Sequence, residues 1–120
     1  MTESLLVQLR KGVLDLCVLA LLARHDSYAY EIASRLAGDI GMGEGTIYPL
    51  MRRMQTDGLV KTYLEESSSG PPRKYYQLTK AGHAAFGAQK AEWNIFIASV
   101  AKVLADTRSP AAARTPGAVK

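Results

Sequence analysis

The sequence predicts an α+β chain, mainly helical, and three observations carry that reading. Ile47, Leu50, Met51 and Met54 recur at i, i+3, i+4 and i+7, the spacing of one apolar helix face. Just after them, residues 59–65 and 73–78 read as two strands around a polar stretch, Ser67-Ser68-Ser69-Gly70-Pro71-Pro72. Apolar helical patterns lie on either side, at residues 3–24 and from Thr79 to about Asp106. A short helix that is apolar on one side and cationic on the other, followed by a two-stranded ribbon, is how a winged helix-turn-helix meets DNA.

Each element has its own local reasons. The helix over 3–24 is apolar nearly all round from Val13 to Leu22, so partners are expected on more than one side. Gly12 in its middle marks a close approach by another backbone. Asp26-Ser27 is placed to cap a second helix over 27–38, with Tyr28, Ile32 and Leu36 at i+4 steps. Residues 38–43, with three glycines, make the turn into the central helix. That helix carries Thr46, Pro49, Arg52, Arg53 and Thr56 opposite its apolar face, with Tyr48 at the edge. Pro49 removes a backbone hydrogen bond if the helix starts at Glu44, which predicts a kink or a later start. Gly58 stands where a left-handed C-cap belongs.

In the ribbon, Val60, Thr62 and Leu64 share one face and Lys61, Tyr63 and Glu65 the other, while Tyr76 and Leu78 join the core. Thr79 caps the last helix. There Trp93, Phe96, Val100 and Val103 step i, i+3, i+7 and i+10, with Ile97 and Leu104 widening the stripe. An exposed stripe with a Trp and a Phe is a liability on a monomer. It is therefore expected to be a dimer interface, with Leu5, Leu6 and Leu9 of the first helix as partners. This divides the chain into a winged helix-turn-helix DNA-binding domain with its N-terminal helix at 1–78, a C-terminal dimerisation helix at 79–107, and a disordered tail at 108–120.

At 120 residues the chain holds one core and is small for an isolated enzyme. Its net charge is +4, but removing Arg108, Arg114 and Lys120 leaves only +1, so attraction for DNA must come from local clustering. Arg52, Arg53, Lys61, Arg73, Lys74 and Lys80 supply the cluster. Cys17 is the only cysteine, which rules out an internal disulfide and a cysteine-based zinc site and suits a reducing cytoplasm. The apolar run from Val13 to Ala23 is broken by Asp15 and too short to span a bilayer. Glycines 41, 43 and 45 do not make a nucleotide loop: no strand precedes them and no lysine follows in phosphate-binding position. His25 and His83 lie in unrelated contexts, and there is no HExxH, nucleophile elbow or paired acids, so no catalysis, cofactor or metal is expected.

The ordered set Arg10-Lys11-Gly12, Leu14, Leu19, Tyr28-Ala29-Tyr30-Glu31-Ile32, Gly45-Thr46-Ile47-Tyr48-Pro49-Leu50, Arg53, Asp57-Gly58-Leu59-Val60, Arg73-Lys74-Tyr75-Tyr76 and Leu78-Thr79-Lys80-Ala81-Gly82 resembles the PadR family of transcriptional regulators. The resemblance runs from about residue 8 to about residue 97. Two departures are Gly43, where the family usually has Ser or Asn, and Ala29, where Gly is common.

The resemblance implies a homodimeric repressor on a pseudo-palindromic operator, released in many members by a small molecule. It places Thr46, Tyr48, Pro49, Arg52, Arg53, Lys61, Arg73 and Lys74 at the DNA. Trp93 with Leu9, Gly12, Leu16, Phe96 and Ile97 would take a flat lipophilic effector at the dimer interface. Ile97 stands where some relatives carry an acid, so neutral or weakly anionic ligands are expected. Two other classes stay open: a winged-helix module for protein–protein contact, and a lipophilic small-molecule binding protein without DNA regulation.

Overall fold

The computed structural model describes residues 4–106. In chain order these form α1 (Leu5–Arg24), β1 (Ser27–Tyr28), α2 (Ala29–Asp39), α3 (Glu44–Thr56), β2 (Val60–Ser67), β3 (Gly70–Leu78) and α4 (Lys80–Ala105). The sheet is antiparallel, in the order β1-β3-β2. Described residues up to Gln89 make one compact unit, and those from Lys90 a second. The tail expected at 108–120 lies outside the described residues.

One core holds the first unit. α1 contributes Leu14, Val18, Leu19 and Leu22; α2 contributes Ile32, Ala33 and Leu36. α3 adds Ile47, Leu50, Met51 and Met54, and the sheet closes the core with Val60, Tyr76 and Leu78. The apolar face read for α3 is thus the buried face.

α1 starts at Leu5 and not at residue 3 because Ser4 is its cap, its Oγ accepting from the Val7 amide at 3.2 Å. Val13, Leu16, Cys17, Ala20 and Leu21 are half-buried between the buried Leu14, Val18, Leu19 and Leu22. No residue from 13 to 22 is exposed, so the helix is covered on more than one side, as expected. Burial pushes the Cys17 thiol up, in keeping with its place against the core. The close backbone approach expected at Gly12 is not made among the described residues: a Cβ there would meet nothing within 4 Å.

The cap assigned to Asp26-Ser27 is corrected. Ser27 and Tyr28 are strand β1, paired with Tyr76 and Tyr75, and α2 starts one residue later with no side-chain cap. Two residues are too few to show a period, and a tertiary partner overrode the local capping signal. The ribbon is therefore part of a three-stranded sheet.

α3 starts at Glu44 despite Pro49, and not later, its first turn closed by Thr46 N–H and Ile47 N–H on the Gly43 carbonyl at 3.1 and 3.3 Å. Pro49 lies on the exposed side, where the Gly45 carbonyl it leaves unbonded can reach water. At the other end Gly58, at φ 77°, gives the left-handed C-cap. Leu59 N–H reaches the Met54 carbonyl at 2.9 Å and Gly58 N–H that of Gln55 at 3.1 Å, a Schellman motif.

The long polar loop expected in the hairpin is shorter in fact. β3 already begins at Gly70, leaving only Ser68 and Ser69 between the strands. The pairing steps from Glu65↔Arg73 to Ser67↔Gly70, so Pro71 and Pro72 together oppose the single residue Glu66. A bulge takes the prolines in, since neither has an N–H to give the ladder.

Thr79 does cap α4, and does more. Its Oγ accepts from Gly82 N–H at 3.0 Å and donates to the Gly58 carbonyl at 2.7 Å, while its amide donates to the Leu59 carbonyl at 3.0 Å. One residue joins the end of α3, the start of β2 and the start of α4. Gly82, the only buried residue of α4, faces this joint: a Cβ would collide with the Leu59 carbonyl oxygen and stand 3.0 Å from Leu78 Cδ2.

Gly82→Ala should therefore destabilise the fold by about 1–3 kcal/mol in urea unfolding. Gly87→Ala on the same helix, where a Cβ meets nothing within 4 Å, should be neutral or stabilise by up to about 1 kcal/mol. Equal effects at the two positions would show that the Leu59 contact does not fix the start of α4.

Candidate nucleic-acid interface

With Ile47, Leu50, Met51 and Met54 turned inward, about 100° per residue sends Gly45, Pro49, Arg52 and Thr56 of α3 straight outward. Thr46 and Arg53 take one flank, and Tyr48, half-buried, takes the other. Arg52 is exposed and has no ion pair among the described residues. The Thr56 hydroxyl is used internally, donating to the Arg52 carbonyl at 3.1 Å.

The Thr46 flank borders α1 across an open cleft of about 500 Å³, lined by Lys11, Leu14, Asp15, Thr46, Pro49, Leu50 and Arg53. Arg53 crosses it. Its Nη2 donates to both Asp15 oxygens, at 3.1 and 3.2 Å, and its Nη1 lies 3.9 Å from an Asp57 oxygen. The hydrogen bond to Asp15 pushes the Arg53 pKa further above its already high ordinary value. Of the two α3 arginines expected at DNA, Arg52 is unpaired among the described residues and Arg53 is engaged with a carboxylate.

The hairpin separates residues that the sequence makes neighbours. Lys61, Tyr63 and Glu65 pair with Gln77, Tyr75 and Arg73 on one face, while Thr62 and Leu64 pair with Tyr76 and Lys74 on the other. Arg73 and Lys74, expected together, thus point to opposite faces. Arg73 lies over the Tyr28 ring, 4.6 Å from its centroid, beside the strand partner Glu65. Lys74 shares a face with the buried core and sits 5.7 Å from the Tyr76 ring centre. Lys61 stays on the Arg73 face.

Tyr75 is the middle of an aromatic row. Tyr28 meets it edge-on at 5.4 Å and Tyr63 stacks on it at 5.7 Å. Tyr63 donates to Asp26 at 2.7 Å, and the Gln77 amide donates to the same oxygen at 3.1 Å. That bond to a carboxylate pushes the Tyr63 phenol up to about 12, because ionising it would set two anions face to face.

Sequence reasoning missed several residues of this surface. Lys11 and Asp15 line the cleft. Arg10 brings its guanidinium to 3.0 Å from where a Cβ of Gly41 would stand, over the turn that leads into α3. Gly45, with nothing near its missing side chain, leaves the outward face of α3 low at its first turn. Arg10 and Lys11 had a signal in the family-like Arg10-Lys11-Gly12, whereas the Asp15 partner is 38 residues from Arg53 and has none.

The residues read as dimer and effector surface are exposed in each unit. On α1 these are Leu5, Leu6, Leu9 and Gly12, with Leu16 half-buried; on α4, Phe96 is 60% exposed, Trp93 36%, and Ile97, Val100 and Val103 are also open. Ile95, outside the expected stripe, is 70% exposed. Among the described residues no helix is long and apolar enough to cross a membrane, and no three His, Cys, Asp or Glu could hold a metal ion together.

Comparison with known proteins matches residues 18–88 to the "Transcriptional regulator PadR-like family". The crystal structure of a PadR-like transcriptional regulator from Bacillus cereus is 35% identical, with TM-score 0.77, and the match covers 84% of this chain and 99% of that one. An uncharacterised protein of Lysinibacillus sphaericus is 30% identical over 87 residues, 69% of this chain and 80% of that protein. The fold extends to Bacillus subtilis PadR, solved in complex with operator DNA, at 22% identity and TM-score 0.58 over 64% of this chain and 46% of that one.

The Tyr63–Asp26 bond gives the wing an alkaline signature. A proton held more tightly in the folded than the unfolded state stabilises the fold below the ordinary phenol value near 10, and that contribution is lost as pH rises from there to about 12. The difference between wild-type and Tyr63→Phe absorbance titrations should place Tyr63 near 12, and Asp26→Asn should bring it back toward 10. An unchanged midpoint in Asp26→Asn would deny the bond its role.

Proposed function

The chain belongs to the PadR-like family of transcriptional regulators, and on that premise we propose that it is a cytoplasmic repressor that binds a pseudo-palindromic operator as a homodimer and answers to a flat lipophilic molecule. The observation that carries the DNA reading is α3: its apolar face is fully committed to the core, and the face left outward holds Arg52 with no internal partner among the described residues. A cation in that state is available to phosphate. α3 is then the recognition helix, Thr46, Tyr48 and Pro49 fix its register, and Arg53, Lys61, Arg73 and Lys74 add backbone contacts from its flank and the wing. The reading gains support from the fold shared with the operator-bound Bacillus subtilis protein. It assigns the chain no catalytic chemistry, cofactor or metal.

Dimerisation and ligand response follow from exposure. Trp93, Phe96, Val100 and Val103 on α4 are exposed, and so are Leu5, Leu6 and Leu9 on α1, large apolar side chains that a partner would cover. In an isologous contact they cover one another, and two recognition helices then reach half-sites about one helical turn apart. The effector would lie at that interface against Trp93, Phe96, Ile97, Leu9, Gly12 and Leu16. The exposed, side-chain-free Gly12 leaves room for it.

A gel shift on the DNA beside its own gene tests the DNA reading. Arg52→Ala should weaken operator and random duplex alike and lower the slope of log affinity against log salt by about 1. If Arg52 instead bonds guanine, its loss should relax preference at one base pair and cost about 1–3 kcal/mol there. Wild-type binding in Arg52→Ala would remove α3 from the interface.

The only tryptophan reports on the ligand reading. Neutral planar dyes should quench Trp93 saturably, and Trp93→Ala should abolish binding while sedimentation still finds a dimer. A full-length chain that sediments as a monomer at micromolar concentration, or an indole unmoved by a broad planar set, would reject the dimer-interface site.

A further inference from the structure

We propose that Asp15 restrains operator binding by occupying Arg53 until an operator phosphate displaces it. This rests on the reading of α3 as the recognition helix. Arg53 sits on the flank of that helix, yet its Nη2 is bonded to both oxygens of Asp15 on α1, at 3.1 and 3.2 Å. The two residues are 38 apart in sequence, so the pair is a tertiary contact and not a local helix pairing. A guanidinium neutralised by a carboxylate displaces no counterion from DNA and adds nothing to loose, sequence-independent attraction.

The pair is built to open. Its side chains are 54% and 40% exposed, and an exposed pair weighs no more than about fivefold in an equilibrium. The cleft around it gives the guanidinium room to turn, and of the other lining residues only Thr46 carries a side-chain acceptor, a neutral hydroxyl. Asp57, the other nearby acid, lies 3.9 Å away and holds Arg53 more loosely. A phosphate placed at bonding distance by a docked operator makes a charge-assisted bond that can replace the carboxylate. A phosphate held at variable distance in a nonspecific complex gains less, and there Arg53 stays on Asp15. The cost of opening the pair therefore falls on the complex that engages Arg53, and the carboxylate lowers operator affinity more than random-duplex affinity.

The test compares the full-length wild type, Asp15→Asn, Asp15→Glu and Arg53→Gln on the operator region and on a random duplex across a salt series. Asp15→Asn, nearly isosteric, should raise operator affinity by up to about fivefold, tighten the random duplex less, and steepen the random-duplex salt slope by up to about 1. Asp15→Glu keeps the charge and should keep the wild-type ratio. In an Arg53→Gln background the effect of Asp15→Asn should disappear, since the carboxylate then has no guanidinium to hold. Unchanged or weaker operator binding in Asp15→Asn overturns the proposal. So does an Asp15→Asn effect that survives in Arg53→Gln, which would make Asp15 a plain repulsive charge. If Arg52→Ala also binds like wild type, the reading of α3 has failed; if Arg52→Ala weakens binding while Asp15→Asn fails to tighten it, only the role of Asp15 is lost.

Discussion

The burial of one face of α3 is the constraint on which the first unit turns. Ile47, Met51 and Met54 are fully buried and Leu50 nearly so, and they meet side chains from α1, α2 and the sheet. Burying four such side chains is worth several kcal/mol, each contributing roughly 1.5–3 kcal/mol. On a helix with one apolar face, the same act fixes which residues point out. Nothing else is needed to present Gly45, Pro49 and Arg52 to a partner. The weak N-terminus at Gly43 and the misplaced Pro49 are tolerated because tertiary burial, and not helix propensity, holds α3.

The wing is held to this helix by polar chemistry as well as by packing. Thr79 receives one bond and gives two at the point where α3 ends, β2 begins and α4 starts. At the far side Asp26 takes bonds from Tyr63 of β2 and Gln77 of β3. Between these anchors the row Tyr28–Tyr75–Tyr63 stiffens the strands that carry Lys61 and Arg73. The cationic side chains are thus carried on rigid elements, though not on one face. Arg73 and Lys74 alternate across the sheet, and a duplex lying flat against the wing would meet one or the other.

What could be read from sequence follows the range of the interaction. α3, its glycine cap, the core role of Tyr76 and Leu78, and the Thr79 cap rest on spacings of a few residues, and all stand in the structure. β1 was illegible, because two residues have no period and their partner lies far along the chain. The Asp15–Arg53 bond was illegible for the same reason. The Arg73–Lys74 cluster was overread: adjacent strand residues alternate, and that rule was available from the sequence. The loop was overread too, since Gly70-Pro71-Pro72 signals a break in most contexts and here is absorbed by a bulge.

The edges of the sheet have a consequence for solubility. β2 is one outer strand, and an open strand of eight residues invites pairing with another chain and growth into aggregates. Here Lys61, Glu65 and Glu66 line it, and the bulge opposite Glu66 bends its pairing near the tip. On the other side β1 is only two residues long and runs into a helix. Beyond it the edge is β3, whose Pro71 and Pro72 have no N–H to offer a passing strand. Neither edge gives a passing strand a flat template, so at the concentrations of a crowded cell this sheet resists the fibrillar route by its own geometry.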